Sequence, residues 1–410
     1  MFFCLNLFGQ KDNVNNNSSS TDYNLLTNKD THYYYDNKES KKRIQSEFNK
    51  INISIPNSYT HNTKDIAYYI NKNFSTIDQK ILATYKWIAS NITYDVNESK
   101  YKEGVEQSTI TNTALKTKKG VCMHFTALYN EILNYMDIEN HIIYGYVKIN
   151  NNVNEQLPHS WNAVYYGDGI WYLFDVTWAS GFIQINKGKS TYVKKINLNY
   201  LFVDPSEFIK THMPFDYCWQ MLDNPISHKK FYDINDDKDE KFNNLKINYI
   251  DSLLVFINAS KLEQLNLTLN RTIYAGIYNQ LTYNYLNNVK AEIDTYLKNQ
   301  QINAYNNTIN LVNNGNDFIN KYVNYFNKQF SPELPEEEVK SLLDSAYNNY
   351  KVALFFLENT DNNTIIQNNY SDIINYCKKQ IIFVEEQYLF VNQYYSMPKS
   401  LRKSLFYIRN

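Results

Sequence analysis

The sequence predicts an α+β core followed by an all-α half. Three observations predict it. Only 10 Gly and 8 Pro occur among 410 residues, so long stretches run without a backbone breaker, which favours helices over a large all-β design. Between residues 122 and 176 the apolar spacing changes from near 3.6 to 2, as it does where a helix hands over to strands. Beyond residue 242 apolar residues keep helical spacing. The length suits two domains better than one.

The elements follow in chain order. Residues 1–10, Met1 to Gln10, are apolar and then polar. They lack the basic start and the length of a full signal peptide, and resemble the tail of one whose start was assigned too far downstream. On that reading the protein is exported, to the periplasm or cell surface; the alternative is a cytoplasmic protein with an apolar N-terminus. Residues 11–45 are polar and read as a linker or disordered arm, too poor in apolar surface to offset chain entropy. The core domain is expected over 46–232. It opens with Ile51, Ile53 and Ile55 alternating as in a short strand. Helical spacing follows over 65–73. A capping box at Ser75 to Asp78 then introduces a helix bearing Ile81, Tyr85 and Ile88, with Trp87 near that face.

After a polar loop, Lys116 to Gly120 leads into Val121-Cys122. A helix is expected from Cys122, on the stripe Phe125, Leu128, Ile132 and Met136. Strands are expected over 141–149, 159–166 and 170–176, the last two joined by a turn at Gly167-Asp168-Gly169. Asp233 to Lys241 is a charged break, and 242–410 is expected to form a helical domain. Pro335 with Glu336, Glu337 and Glu338 marks a helix start. The series Ile366, Tyr370, Ile373, Cys377, Ile381, Val384, Tyr388, Val391 is a seam for another helix. An antiparallel bundle is the plainer reading of it, and a surface for a protein partner the other.

Composition narrows the function. Lys plus Arg is 41 and Asp plus Glu is 42, a net charge of −1, so no general attraction to nucleic acid or anionic membrane follows. No apolar run reaches membrane-spanning length. The four cysteines, Cys4, Cys122, Cys218 and Cys377, form neither a disulfide framework nor a zinc pair. Cys218 and Cys377 read as buried thiols. No phosphate-binding glycine loop, zinc spacing or calcium loop is visible, so no cofactor and no metal are expected.

The chemistry gathers around Cys122. A thiol attacks carbonyls as a thiolate, and a helix N-terminus or a nearby imidazolium favours that form. Cys122 opens a predicted helix, where backbone N–H groups can also receive a developing oxyanion. Gly120 lets a substrate backbone approach closely. Alone, Cys122 would read as a buried core thiol. Downstream, His159 begins one strand and Asp175 lies on the next, an arrangement that can set the two side by side. A carboxylate between Phe174 and Val176 is costly to bury unless paired. Cys122 as nucleophile, His159 as base and Asp175 as orienter is the logic of a triad.

Several ordered motifs carry a family resemblance: Gly120-Val121-Cys122 with Ala127-Leu128, then Gly145-Tyr146-Val147, His159-Ser160-Trp161-Asn162-Ala163-Val164 and Trp171 to Trp178. Trp87-Ile88 with Ile92 to Asp95 precedes them; Tyr200 to Pro205 and His212 to Gln220 follow. Over about residues 60–232 the chain resembles the transglutaminase-like superfamily, and within it the kyphoscoliosis-peptidase-like bacterial branch. The resemblance implies a papain-like core of N-terminal helices and an antiparallel sheet. It also implies a cysteine enzyme acting on protein or peptide amides through an acyl-thioester. A peptidase is the leading expectation. A transglutaminase or deamidase acting on glutamine is an alternative, as is a silent scaffold with a partner-binding helical half. His124 stands where family members commonly carry Asp or Glu, and reads as a surface helix residue or as a perturber of the thiol. Tyr94 is a candidate for a further oxyanion donor. Trp161 and Trp178 read as cleft walls or as support. His212 reads as closing the domain, while His141 and His228 show no partner pattern.

Overall fold

Apolar residues at helical spacing begin earlier than the composition suggests. The computed structural model describes residues 37–97, 106–166, 170–235, 239–359 and 367–408. Helix α1, Asn37–Lys50, starts inside the stretch expected to be a polar arm, because Ile44 and Phe48 bury their side chains there. The expected signal-peptide tail, Cys4, the rest of the arm, the Gly167–Gly169 turn and Ile366 lie outside the described residues. The chain divides into two compact units, Met1–Ile143 with Ser160–Phe208, and Tyr144–His159 with Ile209–Asn410.

In the first unit, α1 is followed by α2 (Thr63–Asn73), α3 (Ile77–Asn91), β1 (Thr93–Tyr94), α4 (Gln107–Thr117), β2 (Lys119–Gly120) and α5 (Cys122–Asn134). The strand expected at 51–55 does not form. Ile51 and Ile55 are buried, but no second strand among the described residues pairs with them, and Ile51 still donates its N–H to the Glu47 carbonyl of α1. Alternation suggests a ladder; the core uses the side chains without one. α3 opens with a capping box, but one residue later than the expected Ser75 and Asp78: the Thr76 hydroxyl accepts from Gln79 N–H, and the Gln79 side chain accepts from Thr76 N–H. Ile81, Tyr85, Trp87 and Ile88 are buried in one cluster with Phe125, Leu128 and Ile132 of α5.

Next, β3 (Asn140–Ile149) begins in the first unit and runs into the second, where β4 (Asn152–Val153) pairs with it antiparallel. Three amides anchor its start. Asn130 of α5 donates to Asn140 Oδ1 and accepts from Gln107 of α4, and Asn140 donates to Asn134 Oδ1, each at 2.8 Å. β5 (His159–Tyr165) belongs to the first unit from Ser160 on, and there it pairs antiparallel with β6 (Trp171–Phe174), from Asn162 opposite Phe174 to Tyr165 opposite Trp171. The strand expected over 170–176 ends two residues early. Asp175 turns the chain into α6 (Val176–Ser180). A hairpin then follows, β7 (Gly181–Asn186) and β8 (Lys189–Lys194), and α7 (Pro205–Phe208) closes the unit.

The second unit carries β9 (His212–Pro214), antiparallel to β3 with Val147 opposite His212, and then α8 (His228–Tyr232) and α9 (Glu240–Asn243). Helices follow throughout: α10 (Tyr249–Asn258), α11 (Lys261–Ala275), α12 (Gln280–Asn327), α13 (Glu336–Glu358), α14 (Gln367–Ser396) and α15 (Leu405–Ile408). The α+β core with antiparallel strands and the long helical C-terminal region are therefore both present. Pro335 stands one position before α13, as its N-cap, with Glu336 to Glu338 in the first turn. Gly315 of α12 faces Tyr350 of α13; a Cβ there would lie 2.7 Å from the ring, so only glycine lets the ring approach that closely. Within the seam, Cys377, Ile381, Val384 and Val391 are buried. Cys218 and Cys377 are buried thiols, and burial pushes them up to about 12 and about 11. Each therefore stays protonated at neutral pH.

His228, with no partner pattern in the sequence, is buried in the second unit. Its Nδ1 lies 2.7 Å from the Tyr146 hydroxyl, and the two rings stack. Burial pushes His228 down to about 4. The folded chain therefore holds a neutral ring that the unfolded chain protonates near its ordinary value of about 6.5. Its contribution is fully present above that value and is lost as pH falls toward about 4, a loss reaching about 3 kcal/mol. Urea unfolding between neutral pH and pH 4 is expected to show this loss, and His228→Gln is expected to remove that part of the pH dependence.

Candidate active site

The approach to Cys122 is a strand that turns into a helix. β2 pairs parallel with β1, with Tyr94 opposite Gly120, and Asp95 donates its N–H to the Gly120 carbonyl at 2.9 Å. Val121 is extended, and α5 begins at Cys122, which is partly buried. The thiol thus stands at the positive end of a helix dipole, which favours the thiolate.

His124 is buried, which corrects its reading as a surface residue. Its Nδ1 accepts the Val121 N–H at 3.2 Å, closing the first turn as the reaching-back side chain of a capping box does. A carboxylate at this position would accept the same bond with a full negative charge beside the thiol; the imidazole does it without one. Gly120 is required by the same ring: a Cβ at residue 120 would lie 2.4 Å from His124 Cβ. Its place in the sequence suggests room for substrate, whereas the space is taken by His124.

One buried hydroxyl ties α5 to β5 within the first unit. Thr126 Oγ1 lies 3.1 Å from the Cys122 carbonyl, 3.2 Å from the Met123 carbonyl and 3.1 Å from Ser160 Oγ. A hydroxyl has one proton and two lone pairs, so Thr126 shares its proton between the carbonyls while Ser160 donates to it. Asn162 adds a bond from Nδ2 to the Thr126 carbonyl at 3.2 Å. The turn that carries Cys122 is therefore fastened to the residue that follows His159. Nothing in the periodicity of α5 singles out Thr126; Ser160 and Asn162 stand out only as small polar residues alternating in a strand that is otherwise apolar.

Asp175 is fully buried and caps α6, accepting on Oδ1 from Thr177 N–H at 2.9 Å and Trp178 N–H at 3.0 Å. Carried one step past its last pair, the β5–β6 ladder sets Asp175 across from Trp161, two residues along from His159. Burial first, and the Asp175 charge second, hold the Tyr85 and Tyr200 hydroxyls above their ordinary range. Trp161 is buried against Phe208, with ring centroids 5.7 Å apart, and Trp178 meets Tyr200 edge-on at 5.3 Å. In the second unit, His159 opens β5 and is buried, its ring centroid 5.8 Å from that of His212. His212 in turn has its Nδ1 2.8 Å from the Thr211 hydroxyl. His141 Nε2 lies 2.9 Å from Glu139 Oε1, and its ring lies against Trp171.

Residues 64–176, which contain Cys122, His159 and Asp175, match the transglutaminase-like superfamily. The chain carries a transglutaminase-like superfamily domain. This domain is similar to the kyphoscoliosis peptidases of Mus musculus and Homo sapiens, at 29% and 28% identity over 170 residues. Each match covers 40% of this chain and 25% of the relative, so the chain spans a quarter of the length of these curated proteins. A solved structure from Cytophaga hutchinsonii, described as a candidate cysteine protease, is 22% identical, with 33% of this chain and 42% of that chain covered and a TM-score of 0.23.

Three substitutions separate the roles within this transglutaminase-like domain. Asp175→Ala removes the α6 cap and is expected to cost about 1–2 kcal/mol in thermal unfolding, whereas Asp175→Asn keeps an acceptor for both amides and is expected to retain most of that stability. Thr126→Val leaves the buried Ser160 hydroxyl without this partner, while the Cys122 and Met123 carbonyls keep their helical N–H groups, and is expected to cost about 1–3 kcal/mol, measured by urea unfolding.

Proposed function

We propose that the chain is a cysteine-dependent acyl-transfer enzyme that acts on protein or peptide amides as a peptidase. Cys122 Sγ attacks the amide carbonyl, and His159 takes the thiol proton. The first-turn amides of α5 face the developing oxyanion. The C–N bond then breaks as His159 returns the proton to the departing amine, leaving an acyl-thioester on Cys122. Water, deprotonated by His159, attacks the thioester; the C–S bond breaks to release the acid, and His159 returns the proton to the Cys122 thiolate. Asp175 orients the imidazole throughout.

The observation that carries this reading is the Thr126 hydroxyl, which bonds both the Cys122 carbonyl and Ser160, the neighbour of His159. A scaffold has no use for a nucleophile-bearing helix turn fastened to a histidine strand. The similarity to kyphoscoliosis peptidases supports hydrolysis as the outcome. The proposal extends to the layout, with a catalytic domain over 46–232 and a helical domain over 242–410 that binds a protein partner, and to export from the cytoplasm. No helix among the described residues is long and apolar enough to cross a membrane.

Iodoacetamide labelling at pH 6 tests the thiolate. Cys218 and Cys377 are buried and held protonated, so label there is slow. Cys122→Ala is expected to leave only label on Cys4, and His159→Ala to slow labelling of Cys122 roughly ten-fold or more. Equal, slow labelling of wild type and His159→Ala would sink the enzyme reading.

A further inference from the structure

The β7–β8 hairpin is a two-stranded sheet, and β7 pairs with no other strand among the described residues. Its residues 182–186 are all exposed, and they include Phe182, Ile183 and Ile185, with Ile185 72% exposed. Three large apolar side chains in water on a strand with an open edge are a liability unless something covers them. The open edge offers main-chain hydrogen bonds to an extended polypeptide, and the alternating side chains offer it selectivity.

The hairpin is continuous with the Cys122 approach. The register sets Ile183 opposite Tyr192 of β8. The Tyr192 ring lies 6.2 Å from that of Tyr94, and Tyr94 pairs with Gly120, two residues before Cys122. The Tyr192 hydroxyl is fixed at 2.6 Å from Ser180 Oγ, and Lys194 donates to the Ser90 carbonyl, so the base of the hairpin is anchored while its outer strand is open. Charge gives the occupant its sign. Residues 176–203 contain no Asp or Glu, while Lys187, Lys189 and Lys195 are exposed there.

We propose that β7 is a docking edge for protein substrates presented as an extended strand of alternating apolar and acidic residues. Apolar side chains cover Ile183 and Ile185, and acidic ones meet Lys187 and Lys189. The proposal rests on the acyl-transfer reading for what happens next, but docking itself needs no nucleophile.

The test measures fluorescence anisotropy of two labelled peptides, one alternating valine with glutamate and one alternating valine with lysine, on the full chain carrying Cys122→Ala. The acidic peptide is expected to bind roughly ten-fold more tightly than the basic one, and Ile183→Glu with Ile185→Glu to remove that binding. The same double substitution is expected to leave iodoacetamide labelling of Cys122 within about two-fold of wild type, since both side chains are exposed and touch no core. Equal binding of the two peptides, or binding unchanged by the double substitution, overturns the docking edge. So does a dimer in sedimentation that the double substitution dissolves, because the edge would then be covered by a second copy. Loss of His159-dependent labelling with peptide binding intact overturns the enzyme reading and leaves the docking edge standing.

Discussion

The Thr126 hydroxyl is the constraint on which the seating of helix α5 against strand β5 depends. It joins the carbonyl of Cys122 to the side chain of Ser160, and both Thr126 and Ser160 are buried. Helix α5 and strand β5 are distant in sequence, and a slip between them by one residue would leave buried polar atoms unmatched. Apolar contacts tolerate such slips because they are not directional. A hydroxyl with three partners does not. The Asn162 amide on the Thr126 carbonyl repeats the constraint one step along the strand.

Asp175 is a second buried polar group whose place is set by backbone partners. One of its oxygens accepts two amide protons from the start of α6, which fixes the rotamer and leaves the plane of the carboxylate determined by a helix end. The capping bonds hold the carboxylate in one orientation. Neither amide bond removes its charge, so its field still reaches Tyr85 and Tyr200.

The second unit is organised by aromatic packing and by close backbone approach. Gly315 gives the Tyr350 ring its place between α12 and α13, and the Tyr350 hydroxyl donates to Asn316 at 2.7 Å. Also in this unit, Asp216 accepts from Arg271 of α11 at 2.8 and 2.9 Å while its Oδ1 also caps the turn at Cys218. A buried pair of this kind is costly to break from either side, because the remaining charge has no solvent to turn to.

The sequence by itself determined the helix that begins at Cys122, the strands that begin near His141 and His159, the helical C-terminal half and the two buried thiols. Those features follow from periodicity, dipole and burial, which are local properties of the chain. Tertiary structure alone decided four others. Ile51 to Ile55 alternates as a strand does, but a strand exists only where another one pairs with it. Asp175 reads as a strand residue because its neighbours are apolar, but two amides ahead of it make it a cap. His124 looks like an exposed helix position, but a glycine four residues earlier leaves room for its ring to turn inward. The bond between Thr126 and Ser160 has no local signature at all, since a hydroxyl acquires a partner 34 positions away only when the fold brings the two together.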